Sequence, residues 1–364
     1  MNKMIIANLV YRPIRSIISV IAVGVEVTLI LLIVGLALGM LNDNKIRQKG
    51  IGADIMVRPP NSSNIGAFSV APVSIKLADV LRKQPHVTVV APVVTQVNTS
   101  TIEVIYGIDL KDWEAMGGPL RYIEGGPFEQ PYDAIVDDYF AAANRVHRGS
   151  TVRMLNHDFR VSGIVFHGRG ARRYIPIATM QDLIGAPGKA SMFYVKIDNP
   201  DNADAMAEQL KTVLKDFNII TVGQWLQVMS TDNIPGLAIF IRIVIGISVI
   251  IGFIVIFQSM YTAVMERTRE IGILKSLGAS KSYIVRVILR ETLLLAIGGI
   301  IFGILVSVVA RAGIGVKWPT LPVQMTWAWV IYATLIAIGG AMLGAIYPAF
   351  KAAQKDPIDA LAYE

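Results

Sequence analysis

Four long apolar segments divide the chain. They run from Ile17 to Leu41, Ile243 to Val264, Thr292 to Ala310 and Trp327 to Tyr347. A helix needs about 20 apolar residues to cross the hydrocarbon core of a bilayer, so each segment is predicted to be a transmembrane helix. The first segment is longer than the apolar part of a signal peptide and no A-x-A-like cleavage site follows it, so we expect a retained anchor.

The pattern changes between the first two apolar segments. Short stretches rich in β-branched residues alternate there with helical ones; examples are Val87 to Val94, Ile102 to Ile108, Val161 to Val165 and the helical Ala203 to Leu214. This alternation predicts a large α+β domain inserted between the first and second transmembrane helices. The predicted fold class is therefore an integral membrane α-helical protein with an α+β extracytoplasmic domain.

Three parts make up the predicted chain. Residues 1–41 hold an N-terminal segment and the first transmembrane helix, 42–235 hold the inserted domain, and 236–364 hold the other three transmembrane helices, a short charged helix and a tail. Two Gly-Gly-Pro breaks, at 117–119 and 125–127, predict two lobes within the inserted domain.

Composition agrees with a membrane protein. Of 364 residues, 53% are hydrophobic and 17% are charged, and the mean hydropathy is +0.53. The net charge of +7 does not indicate a nucleic-acid-binding protein, because the basic residues flank apolar segments and do not alternate with aromatic residues in a patch. The absence of cysteine excludes disulfides, thiolate metal sites and cysteine nucleophiles.

Lysine and arginine near the helix ends predict the orientation. Those on one side are Lys3, Arg12, Arg15, Arg267, Arg269, Lys275, Lys281, Arg286, Arg290, Lys351 and Lys355. The loop between the third and fourth helices has only Arg311 and Lys317. Because basic residues accumulate on the cytoplasmic side, both termini are predicted to be cytoplasmic and the inserted domain extracytoplasmic.

The most informative polar stretch runs from Glu266 to Ser280, between the second and third apolar segments. Ile271, Leu274 and Leu277 recur every three residues and predict one apolar face on a short charged helix. Gly278 is predicted to end this helix and Ser280 to cap the next one. Two interpretations fit: the helix rests on the lipid headgroups, or it docks into a partner and transmits force.

These residues also carry a family resemblance. The run from Glu266 to Gly303 and the tail from Tyr347 to Leu361 resemble the FtsX-type permease domain of MacB-like ABC transporters. Arg12 to Leu38 resembles that family's first helix, and Ile51 to Ile220 resembles its periplasmic core domain. The parts of that domain with the clearest resemblance are Gly52 to Arg58, Gly107 to Asp109 and Gly163 to Val165. The resemblance covers nearly the whole chain.

The resemblance implies a homodimer in the cell inner membrane, bound to cytoplasmic ABC ATPase subunits that hold ATP and Mg. The short helix would contact the ATPase, and by position that role falls on Glu266, Arg267, Glu270, Gly272, Leu274, Lys275, Leu277 and Gly278. ATP-driven movement would pass to the extracytoplasmic domain, an arrangement called mechanotransmission. Export or extrusion of a substrate, with a membrane-fusion adaptor as a further partner, is the implied function. The alternative is a signalling scaffold that activates an extracytoplasmic hydrolase.

Enzymatic chemistry is not expected in this chain. It contains no G-x-x-x-x-G-K-[ST], so no phosphate-binding loop and no ATPase site are predicted. Its four histidines, His86, His147, His157 and His167, lack the spacing of metal ligands. We therefore expect no catalytic, cofactor-binding or metal-binding residue.

Glycine pairs and one carboxyl stand out in the apolar segments. Gly35 and Gly39, Gly299 and Gly303, and Gly340 and Gly344 each form a G-x-x-x-G pair, which lets helices approach closely. The first pair is the candidate for a dimer seam, whereas the others are expected to pack within the chain. Glu26 lies near mid-bilayer, where a carboxyl either belongs to a substrate path or makes a structural polar contact.

An electropositive stretch lies between two predicted strands of the inserted domain. It contains His167, Arg169, Arg172 and Arg173. The stretch predicts either a contact with an anionic ligand or partner, or a solvated loop.

Overall fold

The computed structural model describes residues 13–60, 62, 72–98 and 103–355. Lys3, Arg12 and the end of the tail from 356 onward lie outside these ranges. The chain forms two compact units. The membrane unit draws on residues up to Leu38, Gly236–Gly315 and Val323 onward, and the inserted domain on Gly39–Pro235 and Val316–Pro322.

Helices and strands alternate through the inserted domain, whereas the membrane unit is helical. In chain order the helices are α1 (Pro13–Gly50), α2 (Leu77–Arg82), α3 (Leu110–Gly117), α4 (Asp138–Asn144), α5 (Ile177–Leu183), α6 (Ala203–Val213), α7 (Val222–Val228), α8 (Leu237–Glu266), α9 (Thr268–Ser276), α10 (Lys281–Lys317) and α11 (Trp327–Gln354). The strands are β1 (Ile55–Arg58), β2 (Val73–Ser74), β3 (Val87–Asn98), β4 (Glu103–Ile108), β5 (Tyr122–Gly125), β6 (Asp133–Asp137), β7 (Thr151–Met154), β8 (His157–Val165), β9 (Arg173–Pro176), β10 (Lys189–Ala190), β11 (Met192–Ile197) and β12 (Asn218–Thr221).

Four helices of the described chain, α1, α8, α10 and α11, are long and apolar enough to cross a membrane. They contain the four predicted segments, which are confirmed. Two of them are much longer than predicted: α1 has 38 residues and α10 has 37. At 1.5 Å per residue α1 is about 57 Å long, against about 30 Å for the hydrocarbon core. The apolar pattern marks only the part of a helix that lies in lipid.

Close contacts between glycines hold α1 against α10. A Cβ atom at Gly303 would lie 2.6 Å from the carbonyl oxygen of Gly24 and 2.9 Å from the Cβ of Val27. The Thr28 hydroxyl donates to the carbonyl oxygens of Gly24, at 2.7 Å, and Gly303, at 3.1 Å. Because lipid tails are as apolar as leucine, helices in a bilayer associate through such close packing and hydrogen bonds. The expected packing role of Gly303 within the chain is confirmed.

The glycine pair of α1 also lies against its own chain. The carbonyl oxygen of Gly35 accepts a hydrogen bond of 2.8 Å from the Gln324 amide, and a Cβ at Gly35 would lie 3.0 Å from Val323 Cγ1. Gly39 is buried as well. Gly35 therefore packs within this chain, and a dimer seam at Gly35 and Gly39 stays a prediction.

In its described residues the inserted domain has one ten-stranded sheet, in the order β12-β1-β11-β3-β4-β9-β6-β8-β5 with β7 beside β8, and a two-stranded sheet of β2 and β10. The pairs β4–β9 and β6–β8 are parallel and the others are antiparallel. Helices pack on this sheet, so the predicted α+β class is confirmed. The two Gly-Gly-Pro breaks lie where the chain leaves one half of the sheet for the other. Strand pair β4–β9 joins the two halves within one compact unit, and a division of this domain into two lobes stays a prediction.

Candidate functional site

Two caps define the turn between the short helix α9 and α10. Gly278 follows it with φ of +94°, and its amide donates to the carbonyl oxygen of Lys275 at 3.0 Å. The Ala279 amide donates to the carbonyl oxygen of Leu274, also at 3.0 Å, which completes a Schellman motif. The hydroxyl of Ser280 accepts from the Tyr283 amide at 3.2 Å at the start of α10. Both predicted caps are therefore confirmed.

Charged contacts connect α9 and its flanking residues to the other helices of the membrane unit. Nη1 of Arg267 donates to both carboxylate oxygens of Glu291 on α10, at 3.2 Å each, and both side chains are nearly buried. The Lys275 ammonium donates to the carbonyl oxygen of Ala353 at 3.1 Å, at the end of α11. Glu266 forms an ion pair with Arg15 on α1. These contacts link α9 and the residue before it to α10 and α11, and the end of α8 to α1.

The apolar face of α9 differs from the prediction. Ile271 is buried in the membrane unit, as is Gly272, whereas Leu274 is half-buried. Exposed apolar side chains are instead Ile273, at 44% of its surface, and Leu277, at 81%. At about 100° per residue, Ile271 and Leu277 are about 120° apart around the helix, whereas residues four apart differ by only about 40°. Residues that recur every three positions from Ile271 to Leu277 therefore span about 120° of the helix surface, which is too wide for the single apolar face that was predicted.

An apolar groove of about 310 Å³ runs beside α9. Its walls come from α8, α9 and α10, and Ile273, Leu274 and Tyr283 contribute to its lining. Glu270 lies at the same groove and is exposed. Of the eight predicted site residues, Arg267, Gly272 and Lys275 lie against other helices of the membrane unit and Leu274 is half-buried, whereas the other four are exposed.

A second cluster of charges lies in the inserted domain, where α1 ends. The Asp43 carboxylate accepts from Arg172 Nη2 at 2.9 Å and from Arg47 Nε at 3.0 Å. Nη1 of Arg172 donates to Asp137 at 3.2 Å, at the junction of β6 and α4. Arg172 is 8% exposed and Asp137 only 1%. A buried guanidinium therefore joins α1 to the sheet.

Backbone contacts strengthen the same junction. The amide of Gly170 donates to the carbonyl oxygen of Arg47 at 2.8 Å, and Arg47 Nη1 donates back to the Gly170 carbonyl at 3.0 Å. The Tyr194 hydroxyl donates to Gln48 Oε1 at 3.2 Å. The last turns of α1 are thus part of the folded inserted domain.

These contacts decide one of the two interpretations of the stretch from His167 to Arg173. Arg172 and Arg173 are buried, so a solvated loop is wrong. Carboxylates of its own chain pair with Arg172, whereas an anionic ligand for the rest of the stretch stays a prediction. Arg169 donates to the carbonyl oxygens of Gly118 and Trp113, at 2.7 and 2.9 Å. Sequence reasoning did not single out Asp43, Asp137 or Glu291, because each partner is distant in the chain.

Glu26 lies in tight packing between three helices. It is 2% exposed on α1, and its carboxylate occupies the position that a Cβ at Gly252 on α8 would need. Its Oε1 lies 3.8 Å from the Cβ position of Gly340 on α11. Within the described part of the chain, Oε1 has no hydrogen-bond partner. This packing favours a structural contact over a place in an open substrate path.

Comparison with known proteins identifies two families. Residues 16–213 match the family model of the MacB-like periplasmic core domain, and residues 242–357 match that of the FtsX-like permease C-terminal. The chain is 27% identical over its whole length to a macrolide export ATP-binding/permease protein MacB of Aggregatibacter actinomycetemcomitans, covering 61% of that protein. It is 32% identical, over 52% of its length and 49% of the relative, to the uncharacterized ABC transporter permease YknZ of Bacillus subtilis.

A solved structure is similar to half of the chain. The periplasmic region of MacB from Actinobacillus actinomycetemcomitans matches 50% of this chain and 94% of its own, with 23% identity and a TM-score of 0.37. The chain covers 26% to 66% of the length of the curated relatives it matches.

The packing of Glu26 can be tested at Gly252. We expect Gly252→Ala to destabilise the membrane unit by about 1–3 kcal/mol, because the new methyl group would displace the Glu26 carboxyl. Gly246→Ala on the same helix is the matched control, since no described atom lies within 4 Å of its Cβ position. Thermal unfolding of the full chain in detergent measures both. Equal melting temperatures for the two variants would contradict the contact.

The burial of Asp137 leads us to expect that the stability of the inserted domain depends on pH. Burial raises the pKa of this carboxyl from 3.8 to about 6, and the Arg172 charge offsets only part of that effect. Between these two pH values the folded domain keeps a proton that the unfolded chain has lost. The proton therefore makes its full contribution below pH 4 and is lost as pH rises through 6, which lowers the free energy of unfolding by about 3 kcal/mol across this range.

We expect Asp137→Asn to flatten the fall in unfolding free energy between pH 4 and 6.5. Near-ultraviolet circular dichroism of the buried Trp113 follows the unfolding of the inserted domain. The exposed Asp216→Asn serves as the control and should leave the pH profile unchanged. Parallel profiles for the wild type and Asp137→Asn would show that burial does not shift this group.

Proposed function

The chain belongs to the MacB/FtsX-type ABC transporter permease family, and on this premise we propose that it couples ATP hydrolysis by a separate ATPase subunit to movement of its inserted domain. The observation that supports this most is Leu277, a leucine 81% exposed at the end of α9. A protein surface gains about 1.5–3 kcal/mol when a leucine of this kind is buried. An ATPase groove that covers Ile273 and Leu277 would supply this burial.

The ion pairs of α9 suggest how a docked ATPase acts on the membrane unit. Arg267 and Lys275 hold α9 to α10 and α11, and Glu266 holds it to α1 through Arg15. The Arg267–Glu291 pair is nearly buried, so water screens it less than the exposed Arg15–Glu266 pair. A movement of α9 is therefore transferred to several transmembrane helices together.

Helix α1 would carry this movement outward. It is unbroken from Pro13 to Gly50, and its last turns are held by Arg172 and Gly170 in the inserted domain. We place α9 and both termini in the cytoplasm and the inserted domain outside, because the basic residues near α9 outnumber those of the loop before α11. ATP-driven shifts of α1 then move the outer domain.

Export is the function we propose for this movement. The relative from Aggregatibacter actinomycetemcomitans is named for macrolide export, and the inserted domain is large enough to engage a substrate or an adaptor protein. We propose further that two copies of the chain assemble with two ATPase subunits. ATP and Mg would be bound by that partner, because this sequence has no phosphate-binding loop.

Docking is tested by Leu277→Asp. The introduced carboxylate would lose its hydration in the partner's groove, at a cost of a few kcal/mol, so we expect the co-expressed ABC ATPase to be lost from pull-downs. The control is Ser276→Asp, which places the same charge on the neighbouring exposed position of α9. The purified permease alone should hydrolyse no ATP. Full retention of the ATPase by Leu277→Asp would exclude this docking surface.

A further inference from the structure

The inserted domain contains a cavity of about 1380 Å³. Small-molecule sites usually measure about 300–1,000 Å³, so this one has room for more than a small ion. Its walls come from the end of β3, from α4, β7, β9 and α5, and from the segment that follows α10. The function proposed above does not use this cavity.

The charge of the lining has one sign. Arg153, Arg173 and Lys317 line the cavity, and none of the described lining residues is an aspartate or glutamate. Arg173 is 2% exposed, and its guanidinium carbon lies 5.0 Å from the centre of the Phe140 ring. Cations grouped on low-dielectric walls concentrate anions, and a guanidinium matches the geometry of phosphate or carboxylate oxygens.

Apolar side chains form much of the remaining wall, beside uncharged polar residues such as Thr95 and Asn144. Phe140 and Val146 are buried, Leu183 and Ile184 are half-buried, and all four line the cavity. Trp318 lies at the same cavity, with the Lys317 ammonium 4.7 Å from the centre of its ring. These two residues stand at the end of α10, one of the four helices long enough to cross a membrane. A tryptophan beside a lysine is typical of the bilayer interface.

We propose that this cavity binds an amphipathic anion: a phosphate-bearing headgroup with an attached hydrocarbon part. The cations would hold the anionic group, and the apolar wall would hold the hydrocarbon. Either a membrane lipid or a soluble organic phosphate has this chemistry. The proposal does not depend on ATP coupling, because all lining residues belong to the inserted domain.

The test uses the full chain in phosphatidylcholine nanodiscs and titration with short-chain phosphatidylglycerol, followed by calorimetry. Heats from empty nanodiscs are subtracted. Two parallel ligands separate the contributions of charge and hydrocarbon: phosphatidylcholine of equal chain length keeps the tails without net charge, and inorganic phosphate keeps the charge without tails. We expect both to bind at least about tenfold more weakly than phosphatidylglycerol, because each lacks one half of the recognition.

A pair of double variants locates the binding. Arg153→Gln with Lys317→Gln removes two exposed cations from the cavity and should weaken phosphatidylglycerol binding by about tenfold or more. Lys83→Gln with Lys111→Gln removes two exposed cations elsewhere in the same domain and should change nothing. If phosphatidylcholine or inorganic phosphate binds as tightly as phosphatidylglycerol, the ligand is not an amphipathic anion and the proposal is wrong. If both double variants weaken phosphatidylglycerol binding equally, or if neither weakens it, the cavity is not the binding site.

Discussion

The guanidinium of Arg172 fixes the inserted domain to the helix on which it is built. It joins Asp43, on α1, to Asp137, at the end of β6, and all three side chains are nearly buried. Removing one partner of a buried ion pair lowers the free energy of unfolding by about 3–5 kcal/mol, because the other charge stays buried and uncompensated. The reciprocal hydrogen bonds between Arg47 and Gly170 add backbone contacts at the same place. The domain therefore cannot separate from the end of α1 without unpairing charges.

The same helix has an ion pair at its other end. Arg15, near the start of α1, contacts Glu266 just before α9, and Asp43 lies 28 residues further along. Between them the helix has no break, and it packs against α10 through Gly24, Gly299 and Gly303. Charge pairs thus fix the ends of α1, whereas close backbone contact fixes its middle. This division suits the bilayer, where an ion pair is costly and small residues provide close packing.

Sequence alone predicted the features that depend on local patterns. Apolar runs predicted the four membrane helices, and β-rich stretches predicted the α+β class. The positions of Gly278 and Ser280 predicted the end of α9 and the cap of α10. It did not predict the features that depend on distant contacts. Arg172 meets carboxylates 129 and 35 residues away, so its environment could not be distinguished from a solvated loop.

The predictions from glycine spacing and helix periodicity had the same limit, because neither pattern shows which part of the protein packs opposite. A G-x-x-x-G pair indicates close approach but not the partner, and for Gly35 the partner is the segment before α11 of the same chain. For α9, the repeat of apolar residues showed that a face exists, but Ile271 packs inward and Ile273 outward.

The continuity of α1 carries one more consequence, for domain exchange between permeases. The compact inserted domain begins at Gly39, inside α1, and Asp43 and Arg47 in the last turns of this helix bind Arg172 and Gly170. A graft of a foreign outer domain must therefore bring the last turns of its own helix with it, because a junction at the end of the helix would separate residues that bind each other.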